Sequence, residues 1–209
     1  MTITPDDLDA ALASVVSGLR QASGCDWRSA PGTGELNAWR TAEHLGDCLI
    51  SYAGLLIARP STPRFVCFEA VADQAATPSE LLEFVAVGGG ILGATLRTTD
   101  PDVRAYHPSG RADLEGFTGM GCVEVLVHGE DMARGLAVTL DPPRDACSRV
   151  LARMFPDVDA AGVDPWTALL WATDRVDLPG RPSRAGWQWR GAPLDNSPDA
   201  ESTAPFTGA

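Results

Sequence analysis

Four blocks of this chain repeat apolar residues at the three-to-four spacing of a helix face, so most of it must fold as helices packed on one another. Leu8, Leu12, Val15 and Leu19 form the first stripe. Thr4-Pro5-Asp6-Asp7 sets a cap, a first-turn proline and two acids ahead of it, and Gly24 ends it. The second block runs from about Asn37 or Thr41 to Ala58, with Leu45, Leu49, Tyr52 and Leu56 on one face. Thr77-Pro78-Ser79-Glu80 reads as a capping box that opens the third, which carries Leu81, Val85, Leu92 and Leu96. A fourth spans about Phe117 to Arg134 and stops at Gly135. Shorter helices are expected near 143–154 and from Asp164-Pro165 to about Arg175, and extended pieces at 64–68, 103–107 and 187–190.

Connections of about 12–20 residues between the long helices indicate an all-α four-helix bundle with long crossover loops, extra short C-terminal helices and minor strand pieces. Residues 1–192 read as one domain, since a chain of 209 residues buries a substantial core without staples. Residues 193–209 are polar and rich in Pro, Ser, Asp and Gly, which predicts a disordered tail.

All 16 positive charges are arginines against 28 acidic residues, a net charge of −12. No basic patch is visible, which argues against a nucleic-acid partner. The N-terminus lacks the basic start and apolar run of a signal peptide, and no uninterrupted apolar run reaches about 20 residues. A cytoplasmic protein without membrane partners, monomeric or homodimeric and acting on small molecules, is expected. The five cysteines are scattered and form no Cys-x-x-Cys pair, so they read as small buried side chains rather than a disulfide framework.

The chemistry concentrates in Gly121-Cys-Val-Glu-Val-Leu-Val-His-Gly-Glu-Asp-Met-Ala-Arg-Gly135. Glu124 and His128 stand one helical turn apart in an apolar stretch, and residues at i and i+4 share a face. An unpaired carboxylate there would be costly to bury. Either a metal ion or a hydrogen-bonded polar network satisfies the pair. The second helix carries His44, and facing helices commonly build metal sites. His44, Glu124 and His128 would give three ligands with open positions, the layout of a catalytic zinc site; two histidines and one carboxylate also fit non-haem iron. Asp47 and Asp131 are candidates to hold the far ring nitrogens of these histidines, while Glu130 is expected to meet solvent or an arginine.

His107, in Tyr106-His-Pro-Ser-Gly110, reads as a surface histidine. Gly88-Gly89-Gly90 and Gly93 interrupt the third helix, and close packing or a local break is expected there. Arg40, Arg104 and Arg134 read as surface arginines, and Cys48 and Cys122 as inert.

The segments Trp39-Arg-Thr-Ala-Glu-His44-Leu-Gly-Asp47 and Gly116-Phe-Thr-Gly-Met-Gly-Cys-Val-Glu124-Val-Leu-Val-His128-Gly-Glu-Asp131-Met-Ala-Arg-Gly135 resemble the DinB/YfiT-like superfamily, and within it the mycothiol-dependent maleylpyruvate isomerase family. Phe155-Pro156, Asp164-Pro-Trp166, Leu170-Trp-Ala-Thr-Asp-Arg175 and Leu178-Pro-Gly-Arg-Pro182 extend the resemblance, which covers roughly residues 5 to 190. It implies a DinB-like bundle in which His44, Glu124 and His128 are the metal ligands and the catalytic centre. The metal implied is usually zinc, with mycothiol as thiol cosubstrate. Thiolate addition, bond rotation and elimination would isomerise a cis-enoyl acid, and the same attack on an epoxide or quinone would end in a conjugate. The isomerases of that family carry a further small domain, and this chain ends soon after Trp187-Gln-Trp189, so conjugation of another electrophile is the expectation over maleylpyruvate. A metal-dependent hydrolase and a non-catalytic small-molecule or metal-binding protein are the alternatives.

Overall fold

The computed structural model describes residues 2–194. Helices α1 (Pro5–Arg20), α2 (Ala38–Ala58), α3 (Pro78–Thr98) and α4 (Leu114–Gly135) are the long elements, followed by α5 (Arg144–Met154) and α6 (Pro165–Ala172). Strands β1 (Ala105–His107) and β2 (Gly110–Ala112) form an antiparallel hairpin between α3 and α4. Among the described residues the protein is thus mostly helical, with six helices and one two-stranded sheet.

The caps follow from local chemistry. The Asn37 side chain accepts from Arg40 N at 2.8 Å, and the Asp113 side chain from Gly116 N at 2.7 Å, so each fills an orphan donor of a first turn. Thr77 and Glu80 form the reciprocal box expected from their spacing, with Thr77 N donating to Glu80 Oε2 at 2.7 Å. The fourth helix starts earlier than its apolar pattern, at Leu114, because Asp113 supplies a cap that the stripe of Leu and Val does not reveal.

α4 is the central element. Every residue from Gly116 to Val127 is buried, and the helix packs on both α1 and α2. α3 packs on α2 and α1, and α5 lies against α4 and α6. Trp27, Trp39, Phe117 and Phe155 are among the fully buried side chains of the core. The glycine run in α3 does not break the helix. A Cβ at Gly88 would lie 2.9 Å from Gly46 O on α2, and one at Gly89 would strike Leu12 on α1, so α3 lies close against both helices here. By length and composition α3 is also a candidate membrane span, and among the described residues it is the one such helix. Glu80, Glu83 and Arg97 interrupt its apolar sequence, so it holds no uninterrupted apolar run of about 20 residues.

Several expectations need correction. Residues 64–68 and 187–190, expected as extended pieces, form no strand among the described residues; Arg190 N donates instead to Met154 O at the end of α5, at 2.8 Å. The partner of β1 is instead Gly110–Ala112, reached through the two-residue turn Pro108-Ser109, after which Gly110 adopts φ 124°, open to glycine and disfavoured for other residues. His107 is not a surface residue but 2% exposed, since the hairpin turns it inward against α2. Cys25 and Cys67 are exposed rather than buried, and all five cysteines are free. The predicted tail lies almost wholly outside the described residues.

Candidate metal centre

α2 and α4 bring His44 and Glu124–His128 to the same place, with the rings of His44 and His128 5.2 Å apart, edge to face. Glu124 is 8% exposed and its two oxygens are both engaged. Tyr52, two turns beyond His44 on α2, donates its hydroxyl to Oε1 at 2.6 Å, and His128 Nε2 lies 2.7 Å from Oε2. A buried carboxylate held this way has exchanged water for two short, charge-assisted bonds.

The far side of His128 is held as firmly. Its Nδ1 is 2.7 Å from Thr33 Oγ1, and that hydroxyl donates to Asp131 Oδ2 at 2.8 Å. Asp131 in turn receives Arg175 Nη2 at 2.8 Å and Nε at 3.2 Å. Thr33 reaches the ring because Gly135, at the end of α4, lets the Pro31 carbonyl pass where any Cβ would collide. Gly32 is pressed in the same way against Thr41 and the Asn37 backbone. Asp131 thus orients His128 through a hydroxyl rather than directly, its oxygen being 4.0 Å from Nδ1.

His44 lies half-exposed, and its neighbour is Cys48, one turn on, with Sγ 3.5 Å from Nε2. Asp47 does not take the role expected of it: its Oδ1 accepts from Ala70 N at 2.7 Å and fastens the loop between α2 and α3. Glu130 pairs with Arg134 at 2.8 Å. His107 closes the deep side, its ring 5.4 Å from Tyr52 and 6.2 Å from Trp189. Its Nδ1 accepts from Ser109 N at 3.1 Å and lies 2.6 Å from Ser109 Oγ.

Electrostatics follow from this packing. Burial pushes the Glu124 carboxyl up, but the hydrogen bond and charge of His128, the Tyr52 hydroxyl and the charge of His44 outweigh it and hold it down near about 2. Burial, with the charge of His128, lowers His44. Burial and then the Glu124 charge push both Tyr52 and Cys48 well above their ordinary values. Burial lowers His107 to about 4, against the opposing pull of Glu124.

The donor set fits a divalent metal. Ligand atoms of His44, Cys48 and Glu124 all lie within 4.8 Å of one another, and they offer nitrogen, sulfur and oxygen to one point. His128 adds a second imidazole within contact of the same carboxylate. Two surface depressions, of about 280 and 330 Å³, lie elsewhere: one beside Arg59, Asp100 and Arg104, the other beside Val71, Glu80 and Phe84. Buried titratable groups converge at the cluster and at neither depression, which marks the cluster as the candidate site.

No protein-family model matches the chain, and neither a curated protein nor a solved structure shows significant similarity to it. Tyr52, Thr33 and Arg175 are members of the cluster to which sequence alone assigned no role there, and Cys48, read as inert, joins them. Of these only Cys48, at i+4 from His44, left a signal in the sequence.

Proposed function

We propose that the protein is a metal-dependent thiol transferase or isomerase, built as a DinB-like four-helix bundle. In this reading His44, Glu124 and His128 hold a divalent ion, zinc before others. The partners are a low-molecular-weight thiol such as mycothiol and a small electrophile, and the compartment is the cytoplasm. The observation that carries the proposal is the convergence of the buried Glu124 carboxylate with the imidazoles of His44 from α2 and His128 from α4. A bound divalent ion would supply Lewis acidity that favours the thiolate over the thiol.

The residues of the chain have separate tasks. Tyr52 fixes the carboxylate plane of Glu124 by holding Oε1, so Oε2, 2.7 Å from His128 Nε2, is the oxygen that would turn to a bound ion. Thr33, with Asp131 and Arg175 behind it, fixes the His128 ring and its far nitrogen, the support that ligating imidazoles usually have. His107 packs edge to face on Tyr52, with Phe65 and Trp189 in turn beside the His107 ring.

Metal content decides first. About one zinc per chain is expected in protein purified without chelator, lost in His44→Ala and His128→Ala. Metal-loaded protein should then consume mycothiol in the presence of an electrophile. Activity on an ester or amide without thiol would replace this reading with the hydrolase. A protein that takes up no metal would leave the non-catalytic reading, which the closed Tyr52–Glu124–His128–Thr33 chain of hydrogen bonds favours, since it satisfies the buried groups unaided.

A further inference from the structure

The metal reading above uses two imidazoles and one carboxylate, yet the sulfur of Cys48 lies among the same donors. Cys48 and His44 are one turn apart on α2, and Sγ is 3.5 Å from His44 Nε2. With metal bonds of about 2.0–2.1 Å to nitrogen and 2.3 Å to sulfur, the N-to-S edge of a tetrahedral site is about 3.6 Å. The pair already stands at that edge length. The Glu124–His128 contact, at 2.7 Å, is shorter than such an edge and is the length of a charge-assisted hydrogen bond. Cys48 is also set apart from the other cysteines: Cys25 and Cys67 are exposed, and Cys122 and Cys147 are buried. It alone shares a group of candidate ligand atoms with a histidine and a carboxylate, among the described residues.

We infer that Cys48 is a thiolate ligand of the metal held by His44 and Glu124. The inference rests on the metal reading, and it goes further by naming a fourth protein donor and the ion it selects. On coordination the S–metal bond replaces S–H, and the proton leaves to solvent. A set of imidazole and carboxylate alone suits iron as well as zinc, whereas a thiolate donor shifts preference toward zinc and other thiophilic ions. Cys48 therefore discriminates between metals that the other three ligands accept alike. It also occupies a position that an incoming thiol would otherwise take, so a thiol cosubstrate binds by displacing Cys48 or by enlarging the shell.

The test is cobalt(II) titration of the metal-free full chain, read by absorbance. Wild type is expected to give visible ligand-field bands at one equivalent, together with an intense near-ultraviolet sulfur-to-cobalt band. Cys48→Ser should keep the visible bands, lose the ultraviolet one, and bind cobalt at least tenfold more weakly. Alkylation mapped by mass spectrometry gives a second readout on unmutated protein, with zinc protecting Cys48 but not Cys25 or Cys67. Stoichiometric cobalt without the sulfur band, or a band that persists in Cys48→Ser, overturns the inference and leaves the metal reading standing. Absence of any cobalt binding overturns both.

Discussion

Glu124 Oε2 and His128 Nε2 stand 2.7 Å apart, one turn along α4, and the other oxygen of Glu124 takes the Tyr52 hydroxyl at 2.6 Å from α2. Two helices are thereby tied through one carboxylate at the centre of the molecule. A charge in such a place is tolerated only while its partners remain, because an ion left unpaired inside a protein costs several kcal/mol. The same arrangement is what gives a metal a preformed, ionised ligand.

Tyr52→Phe removes a donor and leaves the carboxylate with one partner fewer. Hydrogen bonds to charged groups contribute about 1.5–3 kcal/mol, so a loss of that order in unfolding free energy is expected. Denaturant melts of the two proteins, with unchanged m-values, check it. A variant as stable as wild type would mean that water replaces the hydroxyl.

Stability should fall with acid in two windows. His107 has its folded value lowered to about 4 from 6.5, so its neutral form is the native one. The unfolded chain takes up the proton first, and stability present above pH 6.5 is lost as pH falls toward 4, by on the order of 3 kcal/mol. Glu124 has its value lowered from 4.5 to about 2, and its contribution, present above pH 4.5, is lost between those limits. Urea melts across pH 4–7 on wild type and His107→Gln isolate the first window: the variant should show a flatter slope.

Within the α3 glycine run, identical substitutions should have opposite effects. A Cβ at Gly90 meets nothing within 4 Å, so Gly90→Ala should stabilise by about 1 kcal/mol through helix propensity. At Gly89 the methyl strikes Leu12 and at Gly88 it reaches the Gly46 carbonyl, so those alanines should destabilise by about 1–3 kcal/mol. Thermal melts of the three variants read the sign directly.

Zinc should raise the melting temperature of metal-free protein, and chelation should reverse the rise. At a free concentration 100-fold above the dissociation constant the gain is about 2.7 kcal/mol. His44→Ala should melt as metal-free protein does and not respond to zinc. A zinc response retained in that variant would place the ion elsewhere.

Much of the helical frame was legible along the chain because each long helix declares itself locally. Thr77 to Glu80, Asn37 and the stripe from Leu8 to Leu19 carry periodicity and caps within a few residues. The positions of His44, Glu124 and His128 were legible too, since helical spacing and an apolar setting mark them. Where the structure differs, the missing information was non-local. The partner of β1 depends on a turn at Gly110, and the burial of His107 on Tyr52 and Trp189, which lie far off in sequence.

What the sequence by itself determined was the set of helices and which faces they bury, because propensity, capping and period act over one or two turns. What only the tertiary structure decided was the company those faces keep. Thr33 from a loop meets His128, Tyr52 from α2 meets Glu124, and Arg175 from beyond α6 holds the Asp131 carboxylate that Thr33 also meets. Contacts of this kind depend on how helices are placed on each other in space, and sequence spacing holds no record of them.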